Sequence, residues 1–352
     1  MAKNTNLRVA NLNKNDEYYT RYDDIKNELI HYAKHFRSKT IYCNCDDHNG
    51  IGLGTPKSNF IKYLADNFQA FEIKKFIATH YEKDKKSTKY ILDKDNTGKN
   101  IICMEDVMEF HLDSDGDFRS EECIELLKQS DIVITNPPFS LFREYVAQLF
   151  EYKKKFIIIG NKNAITYKEI FPLIKKNKLW TGNTPFGKDL LFDLPDWFAQ
   201  ELIKNKREGS GYKVINGVPK GRSQSVWFTN LDHKRRHEIL DTGKKYRGYE
   251  NMYPKYDNYN AINVDKVSDI PMDYNKMMGV PITFLDKFNP AQFEIIGIAK
   301  RGAGDPSLRS KIYTKDQYDN YSDLNAGPVL ADKRGYLYNT YPRILIKKKR
   351  NK

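Results

Sequence analysis

Short runs of apolar and β-branched residues alternate with stretches of helical periodicity along the first 230 positions. The runs that predict strands are 40–47, 75–79, 101–104, 131–135, 155–160, 190–192 and 225–229. Apolar spacing and capping residues predict helices at 22–36, 58–71, 121–128, 141–152 and 163–176. Repeated alternation of strand and helix is typical of a parallel, doubly wound sheet. The pattern therefore predicts an α/β, Rossmann-like fold.

The character of the sequence changes near position 231. Strands are predicted at 281–285, at 293–298 and from 343 onward, and 204–222 is predicted to be a mobile basic loop. Basic residues gather after the change: Lys234, Arg235, Arg236, Lys244, Lys245, Arg247, Lys300 and Arg301. Tyrosines are interleaved with them between 246 and 259. Such a mixture suits phosphates, sugars and bases, although a tyrosine-rich irregular region packed on the core would have the same composition.

The stretch 131–139 reads Asp-Ile-Val-Ile-Thr-Asn-Pro-Pro-Phe and is the most informative in the chain. Three β-branched residues in a row predict a buried strand. Pro137 and Pro138 end that strand, because proline lacks the N–H that a sheet ladder needs. Asn136 to Phe139 would then lie at the carboxyl end of the strand, where open α/β sheets bind ligands.

The residues at this strand end suit methyl transfer to an amino group. The Asn136 side-chain oxygen and the Pro137 carbonyl can accept hydrogen bonds from one exocyclic amine, and Phe139 offers a flat face to a planar base. Two acceptors draw a conjugated amine toward tetrahedral geometry and free its lone pair for attack on a methyl sulfonium. The pattern does not separate nucleic-acid from protein amide substrates. Asn-Pro also begins ordinary turns, but the apolar strand before it favours the functional interpretation.

Acidic and aromatic residues elsewhere are candidates for holding a cofactor. Asp46 and Asp47 end the first predicted strand, where they suit the ammonium group of S-adenosylmethionine or form an ordinary surface turn. Asp117 can accept from the amine of an adenine ring and Phe118 can pack on its face, or both belong to a Gly-centred acidic turn. The sequence has no phosphate-binding loop at this position, which disfavours a phosphate-bearing cofactor.

Net charge and cysteine content narrow the class of protein. The formal net charge is +13 and the pI is near 9.2, which favours a polyanionic partner, usually nucleic acid. A Lys/Asn-rich composition without such a partner is the alternative. The chain has no apolar run of membrane-spanning length and no signal peptide, so we expect a cytoplasmic protein. The four cysteines have no zinc-ligand spacing, so we expect reduced thiols and no metal.

Six motifs together carry a resemblance to a known family. They are Asp-Glu-Tyr-Tyr-Thr (16–20), Cys-Asn-Cys-Asp-Asp (43–47) with Ser-Asn-Phe (58–60), Asp-Gly-Asp-Phe-Arg-Ser (115–120), the central stretch extended to 145, Ile-Ile-Gly-Asn-Lys-Asn-Ala-Ile (158–165) and Met-Gly-Val-Pro-Ile-Thr-Phe-Leu-Asp-Lys (278–287). With these motifs the chain resembles, nearly end to end, the EcoRI-type family of DNA adenine-N6 methyltransferases.

The resemblance implies S-adenosylmethionine as methyl donor, double-stranded DNA as substrate and a target adenine flipped out of the duplex. As catalytic residues it implies Asn136, Pro137, Pro138 and Phe139. Around the cofactor it implies Tyr19, Thr20, Asp46, Asp47, Asp117 and Phe118. The two consecutive aspartates stand where most methyltransferases have a Gly-rich turn, so either of them can be the one that contacts the methionine end.

The same resemblance suggests how the chain is divided. We expect a mobile basic tail at 1–15, a methyltransferase catalytic domain at 16–230 and a DNA target-recognition region at 231–352. We further expect a monomer that belongs to a restriction-modification system, and a cognate restriction endonuclease acting at the same site is a candidate partner. Two alternatives stay open: methylation of RNA adenine or of a protein glutamine amide, and a non-catalytic DNA-binding protein.

Overall fold

The structure is a computed structural model that describes residues 20–46, 58–82, 84–97, 104–188, 190–193, 200, 203–204 and 212–349. The chain divides into two compact units. The first comprises Met1–Lys162 and Gly182–Asp232, and the second comprises Asn163–Thr181 and His233–Lys352. The predicted 1–15 tail, Tyr19 and Asp47 lie outside the described residues, and the functional division at 230 stays a prediction.

The described helices are short. The α-helices are α1 (Tyr22–Leu29), α2 (Ala33–Phe36), α3 (Asn59–Asp66), α4 (Lys94–Thr97), α5 (Glu121–Gln129), α6 (Phe142–Glu151), α7 (Phe171–Lys175) and α8 (Tyr321–Leu324). The 3₁₀ turns are Ile30–Tyr32, Met104–Asp106, Phe139–Leu141, Lys162–Thr166, Lys234–His237, Glu250–Met252, Val267–Asp269, Ile282–Lys287 and Pro306–Leu308. Within the part of the chain described here, no helix is long and apolar enough to cross a bilayer.

The described strands fall in both units. They are β1 (Thr40–Cys43), β2 (Lys75–Thr79), β3 (Thr88–Asp93), β4 (Met108–His111), β5 (Ile132–Thr135), β6 (Lys155–Asn161), β7 (Trp180–Thr181), β8 (Leu190–Asp193), β9 (Tyr212–Ile215), β10 (Val218–Ser223), β11 (Ser225–Thr229), β12 (Ile262–Asn263), β13 (Met278–Pro281), β14 (Phe293–Ala299), β15 (Val329–Ala331), β16 (Leu337–Asn339) and β17 (Arg343–Lys348).

A parallel core of four strands organises the first unit. β1 pairs in parallel with β2 and with β5, and β5 pairs in parallel with β6. All four residues of β5 are buried, as a parallel strand covered on both faces requires. β3 and β4 extend one side and β11 the other, all antiparallel, in the order β4-β3-β2-β1-β5-β6-β11. The predicted α/β, Rossmann-like fold is confirmed, with a mixed rather than wholly parallel sheet.

Short connections explain the antiparallel strands. Only 80–87 joins β2 to β3, and a parallel pairing needs a crossover of a dozen or more residues. Likewise, β9 and β10 form a hairpin where a mobile loop was predicted, so that prediction is wrong for 212–222. The hairpin turns at Asn216 and Gly217, whose φ angles of 49° and 77° suit the tight turn for which Asn-Gly is the usual sequence signal.

Proline positions account for two further wrong predictions. The expected helix 163–176 is instead the 3₁₀ turn Lys162–Thr166 followed by α7, in whose first turn Pro172 lies. The strand expected at 281–285 is a 3₁₀ turn, because β13 ends at Pro281 and proline interrupts a sheet ladder. Of the strand expected at 101–104, only Met104 is described, and it begins a 3₁₀ turn.

A buried carboxylate joins α1 to a loop of the first unit. Glu28 is fully buried and accepts hydrogen bonds from the Tyr32 hydroxyl and from the backbone N–H groups of Asn183 and Thr184, at 2.8, 2.6 and 2.7 Å. Gly182 is needed beside it, since an added Cβ would lie 2.3 Å from a Glu28 oxygen. A buried charge is tolerated only when it is hydrogen-bonded in this way.

The second unit contains its own sheet and core. β12 pairs in parallel with β13, and β17 pairs antiparallel with both β13 and β14. Residues 344–346 at the centre of β17 are fully buried. β15 and β16 form a separate hairpin. The unit therefore has a four-stranded sheet and a hydrophobic cluster of its own residues.

Candidate active site

The site predicted from the central stretch begins where β5 ends. Asn136 directly follows β5 and is 8% exposed. Pro137 is buried, whereas Pro138 and Phe139 are half-buried. Phe139 begins a 3₁₀ turn in which the Leu141 N–H donates to the Pro138 carbonyl at 3.1 Å. The predicted strand ending at the prolines is confirmed, and the chemical roles of these four residues stay predictions.

This strand end lies at the switch point of the sheet. From β1 the chain runs outward through β2, β3 and β4, and then returns to place β5 on the other side of β1. Strand orders that reverse in this way leave a crevice at the carboxyl ends of the two central strands, where ligands bind in open α/β sheets. Asn136 is therefore at the edge where a binding site is expected.

Asp46 connects the two strands at the switch point. Its side chain accepts from the Thr135 hydroxyl at 2.7 Å and from the Ser58 hydroxyl at 2.6 Å. Thr135 is the last residue of β5, and Ser58 caps α3 by accepting from the Phe60 N–H at 3.1 Å. With 5% exposure, Asp46 is largely enclosed by the protein. Its predicted place at this edge agrees with the structure, but its carboxylate holds the scaffold and is not displayed to solvent.

A second buried contact joins the end of β1 to α6. The Tyr145 hydroxyl donates to the Asn44 side-chain oxygen. Burial raises the pKa of Tyr145 well above its ordinary value, so the phenol stays neutral and remains a donor. The Phe118 ring lies edge-on to Tyr145, with centroids 5.1 Å apart. Helix α6, which follows the Asn-Pro-Pro-Phe segment, is thus fixed to the end of β1.

Asp117 and Phe118 lie together, as predicted, with Arg119 beside them. The Arg119 guanidinium donates to Asp117 at 2.6 and 2.9 Å and lies over the Phe118 ring at 5.3 Å. The hydrogen bonds from Arg119 lower the pKa of Asp117, so the carboxylate is ionised at neutral pH. Arg119 also reaches Glu144 of α6 at 3.4 Å. Both Asp117 oxygens thus accept from Arg119, and Phe118 is only 5% exposed. The role of Asp117 and Phe118 toward an adenine stays a prediction, and their contacts with Arg119 were not predicted from the sequence.

Gly116 fixes the turn that carries these residues. It has a φ of +80°, and an added Cβ would lie 1.9 Å from the His80 carbonyl oxygen, just beyond β2. The Glu82 N–H donates to the Asp115 carbonyl at 2.8 Å. Both the positive φ and the close approach require glycine. The turn is therefore held at the carboxyl end of β2, on the same edge of the sheet as Asp46 and Asn136.

Thr20 is the first described residue of the predicted N-terminal cofactor motif. It is buried and forms an isolated bridge with Phe192. Its carbonyl accepts from the Asn59 side chain at 2.8 Å, which places it beside the start of α3. The backbone of Thr20 is thus anchored next to the Ser58 cap, and its role toward a cofactor stays a prediction.

The basic trio of the second unit is not a uniform exposed patch. Lys234 is exposed, Arg235 lies 3.8 Å from Asp286, and Arg236 is 9% exposed. The Arg236 guanidinium lies 3.5 Å from the centroid of the Trp180 ring and donates to Asn177 at 2.6 Å. These contacts favour a packing role for Arg236, while Lys234 is the member that a polyanion can reach directly.

The loop 241–250 presents the next basic residues. Lys244, Lys245 and Arg247 are all exposed. The Asp273 carboxylate holds the loop by accepting from the backbone N–H groups of Tyr246 and Arg247, at 2.5 and 3.2 Å. These bonds lower the pKa of Asp273. The loop is therefore an anchored backbone with three cations on its surface.

Lys300 and Arg301 follow β14 in the second unit. The Lys300 ammonium donates to the Thr166 hydroxyl at 2.5 Å, whereas Arg301 is exposed and donates to Ser322 at 3.3 Å. As in the basic trio, the members of the pair differ: the Lys300 ammonium is hydrogen-bonded within the protein, whereas Arg301 is exposed to solvent.

Most of the interleaved tyrosines are core residues. Tyr253, Tyr256 and Tyr259 are buried, and the Tyr256 ring lies 2.6 Å from the position of a Cβ added at Gly279. Tyr249, by contrast, is exposed. The alternative of a tyrosine-rich region packed on the core therefore holds for the three buried side chains.

Substitution at Gly116 tests the turn. We expect Gly116→Ala to lower the free energy of unfolding by roughly 1–3 kcal/mol or more, because alanine is strained at positive φ and its Cβ would collide with the His80 carbonyl. Chemical denaturation measures the change. Gly187→Ala is the control, since its added Cβ would meet no described atom within 4 Å. Equal stability of the two variants would contradict the assigned turn.

Comparison with known proteins gives consistent matches. The family model described as "Adenine-specific methyltransferase EcoRI" matches residues 6–349. The chain is 47% identical over 311 residues to the Type II methyltransferase M.EcoRI of Escherichia coli, covering 85% of this chain and 90% of that protein. It is 36% identical over 342 residues to M.MgeORF184P of Mycoplasma genitalium, covering 95% and 96%.

A third relative extends the set. The Type II methyltransferase M.MpnI of Mycoplasma pneumoniae is 36% identical over 343 residues, covering 96% of each chain. No solved structure matches. Because the family model and all three relatives span most of the chain, both compact units fall within the match. The protein belongs to the EcoRI family of adenine-specific methyltransferases and is an enzyme.

Proposed function

We propose that this enzyme transfers a methyl group from S-adenosylmethionine to N6 of adenine at a specific site in double-stranded DNA, with the target base flipped out of the duplex. One observation carries the proposal: Asn-Pro-Pro-Phe follows a fully buried central strand at the switch point of the sheet. The family match and the names of the relatives support DNA as the substrate. A DNA substrate also supports a cytoplasmic enzyme.

The acceptors for the target amine come from the chain itself. Asn136 would accept from one N6 hydrogen and the Pro137 carbonyl from the other. Neither Pro137 nor Pro138 has a backbone N–H. The two prolines therefore cannot donate to the acceptors in place of the target amine. Phe139, half-exposed beside them, would pack on the face of the flipped base. Positioning and electrostatics, more than basicity, would activate the amine.

The cofactor would occupy the neighbouring part of the same edge. When bound, S-adenosylmethionine supplies a methyl group activated on a sulfonium. In this proposal Asp117, whose pKa is lowered by Arg119, would accept from the amine of its adenine, and Phe118 would pack on the adenine ring. Asp46 supports the site from behind through Thr135 and Ser58, and direct contact with the methionine end falls to Asp47, Tyr19 or Thr20 in this proposal.

DNA binding is assigned to the exposed cations of the second unit. Lys234, Lys244, Lys245, Arg247 and Arg301 are exposed and would contact phosphates. We further propose a monomer that works beside a cognate endonuclease in a restriction-modification system, since the relatives are named Type II methyltransferases.

The direct test is a methyl-transfer assay. Duplex DNA of mixed sequence is incubated with the protein and with cofactor that carries a labelled methyl group, and the DNA is digested to nucleosides. Label in N6-methyl-2′-deoxyadenosine supports the reaction and substrate together, and sequencing then gives the site. Label on RNA or on protein glutamine would replace the proposed substrate. Absence of cofactor binding by calorimetry would favour a non-catalytic DNA-binding protein.

Asn136→Ala tests the catalytic segment. We expect loss of methyl transfer by about 10²-fold or more, the scale seen when one polar group aimed at the reacting atoms is removed, with cofactor affinity nearly unchanged. Asn230→Ala is the matched control, because Asn230 also follows a strand, but β11 runs antiparallel and ends at the opposite edge. Turnover by Asn136→Ala at the control rate would exclude the assigned role.

Thr135→Val tests whether the Asp46 contact positions Asn136. Removing the hydroxyl leaves a buried acceptor of Asp46 unsatisfied, which costs about 1–3 kcal/mol of stability. We expect kcat to fall while DNA affinity is kept. The control is Thr229→Val, an equally buried threonine at the end of β11 whose hydroxyl donates to the Phe156 carbonyl at 2.7 Å. The control should lose stability without losing kcat, and an equal effect on kcat in both would leave Asp46 only a structural role.

The exposed cations of loop 241–250 should make the DNA affinity of the protein depend on salt concentration. The triple variant Lys244→Ala/Lys245→Ala/Arg247→Ala should reduce the slope of log affinity against log salt by about 0.9 for each phosphate that is no longer neutralised. Fluorescence anisotropy over a salt series measures the slope. The double variant Lys26→Ala/Lys34→Ala removes exposed cations of the first unit and should leave it unchanged. An unaltered slope in the triple variant would place the DNA elsewhere.

A further inference from the structure

The β15–β16 hairpin has a rigid, exposed tip. Gly335 has a φ of +86° and its N–H donates to the Asp332 carbonyl at 3.0 Å. The Asp332 side chain accepts from the Arg334 and Tyr336 N–H groups at 2.8 and 2.9 Å. Three consecutive backbone donors of the turn, those of Arg334, Gly335 and Tyr336, are thus satisfied by Asp332, which fixes the shape of the tip.

The root of the same hairpin is buried. Val329 is fully buried, and Leu337 packs against the cluster that Val329 forms with Tyr313 and Leu324. The Asn258 side chain accepts from the Val329 N–H at 2.8 Å and donates to the Gly327 carbonyl at 2.9 Å. A fixed root and an ordered tip make the hairpin a firm projection, which is the precondition for using its side chains in recognition.

The tip displays cations and aromatic rings. Lys333 and Arg334 are exposed, and no acidic side chain within the described part of the chain pairs with either. Tyr336 is 70% exposed, and Tyr338, which pairs with Leu330 on the hairpin, is 47% exposed. Tyr336 and Tyr338 are two residues apart, which places them on one face of the hairpin. Two positive charges and exposed rings on one rigid element suit a partner that is both anionic and aromatic.

We infer that the β15–β16 hairpin contacts duplex DNA, an inference that rests on the proposed function. Lys333 and Arg334 hold phosphates, and the Tyr336 ring packs on sugars or on base edges in the groove. A two-stranded ribbon fits the width of the major groove, and the charge of the tip is complementary to the backbone. The predicted basic cluster did not include this element, since Lys333 and Arg334 form an isolated pair and the next basic residue is Arg343.

Binding measurements on the full chain test the hairpin. The double variant Lys333→Ala/Arg334→Ala should lower the salt slope by roughly 2, at about 0.9 for each phosphate contact. Tyr336→Ala should weaken binding by about 5-fold or more, the scale for truncating a ring at an interface, with the slope unchanged. Tyr336→Phe keeps the ring and should bind like wild type.

The controls separate the possible results. Lys26→Ala/Lys34→Ala removes two exposed cations of the first unit and should keep the wild-type slope. If wild type methylates and binds DNA but the hairpin variants match it in affinity and slope, the inference fails while the proposed function stands, and a protein partner becomes the better occupant. If wild type neither binds nor methylates DNA, both fail. A loss in Tyr336→Phe equal to that in Tyr336→Ala would contradict packing by the ring.

Discussion

The hydrogen bonds of one buried carboxylate hold the two strands on which the site depends. Asp46, at the end of β1, accepts from Thr135 at the end of β5 and from Ser58 at the start of α3. Hydrogen bonds to a charged group are worth about 1.5–3 kcal/mol each, and removal of a partner would leave a charge enclosed. The contact therefore fixes the separation of the strands at the point where the chain reverses its direction across the sheet.

Other contacts hold the remaining parts of the candidate site to the same edge of the sheet. Asn44 and Tyr145 hold α6 to β1, and the turn at Gly116 holds Asp117 and Phe118 to the end of β2. Positions at such an edge come from rigid strands and not from loop flexibility, and misplacement by about 1 Å can cost 10²-fold in rate. The site thus obtains its precision from side chains that are not themselves expected to contact substrate.

Sequence reasoning succeeded where the signal is local. Buried strands such as 75–79 and 225–229 have their predicted bounds, because a run of β-branched and aromatic residues leaves few alternatives. It could not anticipate that Arg236 would stack on Trp180, since the partner is distant in sequence and charge alone suggests exposure. The Asp46 contact with Thr135 was out of reach for the same reason: it joins residues 89 positions apart.

The membership of Asn163–Thr181 in the second unit has a consequence for synthesis of the chain. This segment emerges from the ribosome long before His233–Lys352, yet Thr166 and Trp180 find their partners in Lys300 and Arg236. Its apolar residues, including Ile165, Phe171 and Ile174, are buried in the finished protein, and the segment cannot complete its contacts until Arg236 and Lys300 have been synthesised. Folding of the second unit therefore joins two segments that are separated along the chain by the whole of Gly182–Asp232.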